Sequence, residues 1–471
     1  MTHHDALSIL QTGANVFLTG EPGSGKTHTV LQFIIWLREH GVEPAITAST
    51  GIAATHIAGY TIHSWSGIGI EQDLSEELLD RIGQKAHVVR RIRKAHVLII
   101  DEVSMLSTGT FEMVEAVCRY VRRDERPFGG LQVVLAGDFF QLPPVFRTQQ
   151  YRSTQSPSLL PDIGDEEDSH AFAFKSAVWK RLNLLVCYMD EQYRQEENGD
   201  FYKLLSAIRS GEVTKEHEAL LTTRTSAPPD DVPVLFPHTG AVDTANARAL
   251  EKISSKPRTF AMEKTGPDVL TNNLVRGCLS PEQLVLKEGA VVMFTKNNTS
   301  AGFVNGTLGT VEAFTHESPM VRTRDGRVIT VSPMDWVIEE NGVVRASVTQ
   351  MPLRLAWAIT VHKSQGMSLD AAHIDLSRAF EYGQGYVALS RVRSLEGLTI
   401  TGFNKRALEV HPTVSEYDIS LREQSDRAQE RFFDMPKDEM DTMQKAFLRT
   451  VGGTSASVAI TTKKKSTKKK H

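Results

Sequence analysis

The run Gly20-Glu21-Pro22-Gly23-Ser24-Gly25-Lys26-Thr27 places an amine and a hydroxyl directly after three spaced glycines. Glycine spacing of this kind lets backbone N–H groups converge on an anion, with Lys26 over β/γ-phosphates and the Thr27 hydroxyl on Mg²⁺. Farther along, Ile99-Ile100-Asp101-Glu102 ends an apolar run in two acids. Asp101 can bind Mg²⁺ through its hydration shell, and Glu102 can polarise an attacking water. Beyond that, Gly137-Asp138 makes a turn before Gln141. An amide beside the γ-phosphate can donate to phosphate and accept from water. The chemistry these groups suit is Mg²⁺-dependent hydrolysis of a nucleoside triphosphate.

Such groups work only if the chain holds them at one edge of a sheet. Residues 15–19 predict a short buried strand before the glycine loop, and residues 29–40 a helix after it, apolar at Val30, Leu31, Phe33, Ile34 and Leu37. A strand, a glycine loop and a helix N-terminus form an anion cradle. Further strands are expected at 45–48, 97–100 and 133–136, so the fold class is α/β with a parallel sheet and ligands at the strand ends. Leu74, Leu78, Leu79 and Ile82 mark a small helical insertion at about 67–96, and the polar, acidic stretch 148–169 reads as a surface loop. A second αβ unit is expected from Leu184. Short strands over 256–351 interrupt it, predicting a small inserted β-barrel before the αβ pattern resumes at Leu355 and ends near Phe403. The expected domains are therefore 1–183, 184–255 with 352–425, 256–351, and a C-terminal helix with a disordered lysine-rich tail over 426–471.

The 471 residues, 40% hydrophobic and 23% charged, have ordinary globular composition. Cys118, Cys187 and Cys278 fall in no metal-ligand spacing, which favours buried thiols in a reducing compartment over a disulfide framework or a zinc site. No apolar run is long enough to span a bilayer, and the first residues do not read as a secretory signal. Net charge is −4, and the six lysines of the tail hide a more acidic body of −10. A nucleic-acid partner would have to meet a local basic face.

Eight ordered runs resemble the superfamily one DNA helicases of the RecD-like branch, and among them the petite integration frequency (PIF) family. They are the glycine loop, Thr47-Ala48-Ser49-Thr50-Gly51-Ile52-Ala53-Ala54, Thr61-Ile62-His63-Ser64-Trp65, Ile100-Asp101-Glu102-Val103-Ser104-Met105, the run from Gly137 to Pro144, Glu191-Gln192-Tyr193-Arg194-Gln195, Ala358-Ile359-Thr360-Val361-His362-Lys363-Ser364-Gln365-Gly366, and Tyr386-Val387-Ala388-Leu389-Ser390-Arg391. Phe111, Glu115, Ala116 and Arg119 after Leu106 also look like the family's signature.

This resemblance implies two RecA-like P-loop domains, an SH3-like barrel inserted in the second, ATP between the domains and single-stranded or forked DNA across their top. It assigns Arg194 and Arg391 to the γ-phosphate as arginine fingers, and Gly366 to the nucleotide. It places Ser49, Thr50, Thr61 and His63 of the first domain on the DNA backbone, with Thr360, His362, Lys363, Ser364 and Gln365 of the second. Such contacts position a strand without reading its sequence. Trp65, Phe139 and Phe140 are candidates to stack bases. The implied activity is 5′→3′ translocation and unwinding by a monomer, in repair, recombination or telomere maintenance, in a bacterial-type cytoplasm or a eukaryotic nucleus or mitochondrion. Rival readings are a superfamily one RNA helicase and a nucleotide-switched DNA-binding adaptor. One departure stands out. Where relatives carry an adenine-reading glutamine, this chain has His3-His4-Asp5, with Gln11 close to the loop.

Overall fold

The computed structural model describes residues 1–69, 71, 73–144, 172–190, 199–229, 232–237, 242–316, 318–340 and 343–454. Six parallel strands make the first sheet: β1 (Val16–Gly20), β2 (Ala45–Ala48), β3 (Tyr60–Thr61), β4 (Val97–Asp101), β5 (Gln132–Ala136) and β6 (Leu185–Met189), in the order β3-β2-β4-β5-β1-β6. The central strands β1, β4 and β5 are buried along their whole length, as apolar runs covered on both faces must be.

The two-residue period sorts their side chains between two cores. Val16, Leu18, Val97, Ile99, Val134 and Ala136 pack with Val30, Phe33, Ile34 and Leu37 of the helix Lys26–Glu39. Phe17, Leu98, Ile100, Val133 and Leu135 face the other way, onto Phe111, Val114, Val117 and Cys118 of the helix Thr108–Arg122. The expected helical insertion is present as Glu76–Gly83 and Ala86–Lys94, whose Leu78, Ile82, Val88 and Ile92 join the second of these cores.

The second sheet has four parallel strands in the order Ala358–Thr360, Val234–Phe236, Ala372–Leu376, Leu398–Phe403. One difference from the sequence reading is clear. The strand expected to open this second unit is β6, and it closes the first sheet instead, with Leu185 to Met189 in parallel register beside Val16 to Gly20. The C-terminal helices also return to the first domain. In the helix Pro412–Phe433, Ser425 Oγ accepts from Tyr188 N at 3.0 Å. In the helix Lys437–Thr450, Phe447 stacks on Trp36. The expected division of the C-terminal segment at 425/426 thus falls within one continuous helix.

The inserted segment is rich in antiparallel β-structure. The expected single barrel is laid out as three hydrogen-bonded sheets of five, three and two strands. The five-stranded sheet has its own core, including Leu286, Phe294, Val321 and Leu353. The helix Asp268–Gly277 of this segment docks on the first domain, where Thr55 Oγ1 donates to Gly277 O at 3.1 Å. Cys118 and Cys187 are buried free thiols, and Cys278 is a half-buried one. Among the described residues no helix is long and apolar enough to cross a membrane. The acidic loop 148–169 and the lysine tail lie outside the described residues.

Candidate active site

Gly20, Gly23 and Gly25 hold left-handed backbone at φ 140°, 94° and 88°, where a side chain would be strained. At Gly20 a Cβ would also lie 2.5 Å from Met189 O, so β6 approaches the loop too closely for any other residue. Glu21 and Pro22 complete the bend, and Ser24 N donates back to Glu21 O at 3.1 Å. The helix Lys26–Glu39 starts on Gly25 with no side-chain cap, so its first N–H groups stay available to an anion. Lys26 Nζ donates to Gly20 O and Glu21 O, each at 2.8 Å. Burial holds its ammonium below the ordinary range, against the pull of Asp138 and Glu102. Thr27 lies exposed on the first helical turn.

The strand β4 delivers Asp101 and Glu102 beside this lysine. Burial raises Asp101 to about 6, partly offset by the Glu102 N–H that its Oδ1 accepts at 2.9 Å. Glu102 rises to about 7, by burial and then by the charge of Asp101. Its backbone is left-handed at φ 52°, a strained turn of the kind that gathers at functional sites. After β5, Asp138 Oδ2 accepts from Gln141 Nε2 at 3.3 Å.

The second domain closes on these groups through Gln365. Its Nε2 donates to Glu102 Oε2 at 3.3 Å and to Gln141 Oε1 at 3.2 Å. Expected on DNA, Gln365 is buried here against Glu102 and Gln141, directly after the helix Val361–Ser364. Gly366, expected on the nucleotide, adopts φ +77° and faces the His56 ring at 3.4 Å from its would-be Cβ. His56 itself meets the Asn305 amide of the insertion at 3.1 Å. Arg391 is buried, its Nε donating to Val387 O at 2.9 Å and its Nη2 to Ser390 Oγ at 2.8 Å. Glu102 and Arg391 lie close enough to influence each other's protonation. Arg194 lies outside the described residues.

The candidate DNA contacts divide. Thr50 Oγ1 accepts from Ala53 N and Thr61 Oγ1 from Ser64 N, each at 3.2 Å, so both hydroxyls cap short helices. Ser49 Oγ is buried and has no hydrogen-bond partner among the described residues. His63 is half-buried, and burial lowers its pKa. Thr360 is buried and His362 half-buried, while Ser364 Oγ donates inward to Val361 O at 2.7 Å. The main chain of Lys363 belongs to this same turn.

The three candidate base-stacking rings are core residues. Phe139 sits among Phe17, Phe172, Phe174, Trp179 and Tyr417 with no face left for a base. Trp65 is buried beneath the helical insertion, and Phe140 is covered by the guanidinium of Arg209 at 4.1 Å.

Arg209 is the residue sequence reasoning missed. It ends the apolar face of the helix Asp200–Ser210, eight residues after Phe201 and next to Ile208, and is 3% exposed. An arginine at the fifth position of an i, i+3, i+4, i+7, i+8 stripe was the available signal.

Comparison with known proteins agrees with this geometry. Residues 5–219 match the PIF1-like helicase family model, and residues 270–314 match the model of the DNA helicase Pif1 2B domain. A protein of Psychrobacter sp. (strain PRwf-1) named ATP-dependent DNA helicase Pif1 is 38% identical over 516 residues, covering 96% of this chain and 76% of that one. The Xenopus laevis ATP-dependent DNA helicase PIF1 is 36% identical over 419 residues, and this chain spans 62% of its length. A crystal structure of Pif1 helicase from Bacteroides in complex with ADP-AlF3 and ssDNA superposes with a TM-score of 0.60 at 30% identity, covering 89% of this chain and 96% of that one. With two parallel-sheet domains meeting over a P-loop and this extent of shared sequence, the chain belongs to the PIF1-like helicase family.

Proposed function

We propose that this chain is an ATP-dependent DNA helicase that moves 5′→3′ along a single strand and separates the duplex ahead of it. The observation that carries the reading is the junction at Gln365, where a second-domain side chain touches both Glu102 and Gln141. Hydrolysis and domain closure share those atoms, so one cannot change without the other. Related proteins named ATP-dependent DNA helicases, and a relative's complex with ADP-AlF3 and ssDNA, supply the substrate class.

Lys26 and the N–H groups opening its helix hold the β- and γ-phosphates. Glu102 orients and polarises the attacking water, and Gln141 reports on the γ-phosphate through Asp138. Asp101 and Thr27 are the fitting holders for Mg²⁺, since a buried acid and a half-buried one that both resist ionisation favour a cation beside them. Mg²⁺, when bound, supplies charge neutralisation at the phosphates. Arg391 leaves Val387 O as the domains close and meets charge developing on the γ-phosphoryl, with Arg194 as the second finger. One chain carries both halves of the site, which supports action as a monomer.

Arg391→Ala is expected to lower DNA-stimulated turnover by roughly 10³-fold or more while changing ATP affinity little. Steady-state kinetics with a direct nucleotide-binding titration separates the two, and equal losses in both would make Arg391 a binding group. The decisive assay is strand displacement on 5′-tailed and 3′-tailed duplexes with ATP and Mg²⁺. Release from the 5′-tailed substrate alone is expected. Stimulation by RNA and not DNA, or hydrolysis without displacement, would overturn the reading.

A further inference from the structure

A buried polar cluster outside the phosphate loop centres on Arg209. Its Nη1 donates to Asp138 Oδ1 at 2.7 Å and to Tyr386 OH at 3.1 Å, and its Nη2 donates to Tyr188 OH at 2.8 Å. Asp418 Oδ1 lies 3.7 Å from Nη2, and Tyr188 OH donates to that oxygen at 2.9 Å while accepting from Arg422 Nη2 at 2.7 Å. Arg209 Nε has no partner among the described residues. Five separate segments converge on this guanidinium: its own helix, the turn after β5, β6, the helix Gln384–Leu389 and the helix Pro412–Phe433.

Stability alone does not account for it. Two arginines and two aspartates balance in charge, yet burying such a group gains little over apolar side chains of similar volume. A buried ion pair held by several bonds does fix geometry, and two of its partners lead to the site. Asp138 binds Arg209 through Oδ1 and Gln141 through Oδ2. Gln141 in turn meets Gln365, and Gln365 meets Glu102. Tyr386 stands on the helix that ends just before Arg391.

We propose that Arg209 is a positioning residue that sets Gln141, through Asp138, and the Arg391 helix, through Tyr386, in register across the nucleotide cleft. The fork geometry of guanidinium is what this requires. One nitrogen bonds both the first-domain turn and the second-domain helix, so displacement of either is felt by the other. The inference rests on the hydrolase reading above and adds to it a residue that touches neither phosphate nor DNA.

The test is a mutant cycle in the full chain. Arg209→Lys keeps the charge and loses the fork, and Tyr386→Phe removes one hydroxyl from a folded core. Each is measured alone and with Gln141→Ala, reading DNA-stimulated kcat, KM for ATP and Tm. Arg209→Lys is expected to lower kcat roughly tenfold and Tyr386→Phe about threefold, with KM held within about twofold. In the Gln141→Ala background Arg209→Lys should lower kcat by clearly less than in the parent, because the branch through Asp138 is already lost and only the one through Tyr386 remains. Losses that multiply in both backgrounds, or unchanged kcat in folded Arg209→Lys, would overturn the proposal. Should Arg209→Lys fail to fold, Tyr386→Phe decides: unchanged kcat overturns the proposal, and a loss with KM and Tm preserved supports it. Normal kcat in Gln141→Ala would overturn the relay, while loss of turnover in Lys26→Ala would leave the hydrolase reading standing.

Discussion

Lys26→Ala is expected to abolish ATP hydrolysis, by roughly 10³-fold or more, and to leave DNA binding and the fold in place. The magnitude follows from removing a cation aimed at developing phosphate charge, where the loss of even one neutral donor costs roughly 10²–10³-fold in rate. Preservation of the fold follows from opposing terms. The Lys26 ammonium donates to Gly20 O, Glu21 O and, at 3.5 Å, Ser24 Oγ, but burial works against its charge. Alanine loses the bonds and the desolvation cost together. The glycine turns that shape the loop are set by backbone angles that do not involve the lysine. Turnover measured at saturating ATP and DNA, with thermal unfolding and DNA titration in parallel, checks all three statements. Unaltered turnover would remove the loop from the reaction.

The parts of the site written locally were legible in sequence. The glycine loop, the β4 acids and the parallel strands each depend on neighbours within a few residues, so spacing and residue type suffice. What failed to show was pairing at a distance. Leu185 to Met189 reads as a buried strand in any sheet, and it is the parallel pairing with Val16 to Gly20, far away in sequence, that fixes it beside β1. Phe139 in isolation looks as able to stack on a base as to fill a core. Its burial is decided by Phe17, Phe172, Phe174, Trp179 and Tyr417, drawn from distant places in the chain. Gln365 lies in a run of small polar groups suited to a sugar-phosphate backbone, and its turn toward Glu102 is a property of two domains meeting.

Glu102→Gln is expected to bind ATP and turn it over roughly 10²–10⁴-fold more slowly, and at the same time to stabilise the folded protein above neutral pH. The first effect follows from the amide's shape. It keeps an oxygen for the Gln365 amide and a side chain that tolerates the φ 52° turn, but loses the negative charge that polarises water. The second follows from linkage. Glu102 is raised from 4.5 to about 7 in the fold, so its contribution to stability is fully present below pH 4.5 and is lost as pH rises through about 7. A tenfold change in proton affinity is worth about 1.4 kcal/mol, so nucleotide-free protein loses at most on the order of 3–4 kcal/mol across that window. Glutamine does not ionise and escapes this loss. Thermal unfolding without nucleotide should therefore show Glu102→Gln above the parent by about 2–5 °C at pH 8 and near it at about pH 4.5. Asp101, raised to about 6, should ionise more readily once its neighbour is uncharged. A variant that turns over normally would move water activation to another residue. A variant that is slow but gains no stability at pH 8 would mean the carboxylate is better solvated, or better paired with Lys26, than its burial implies.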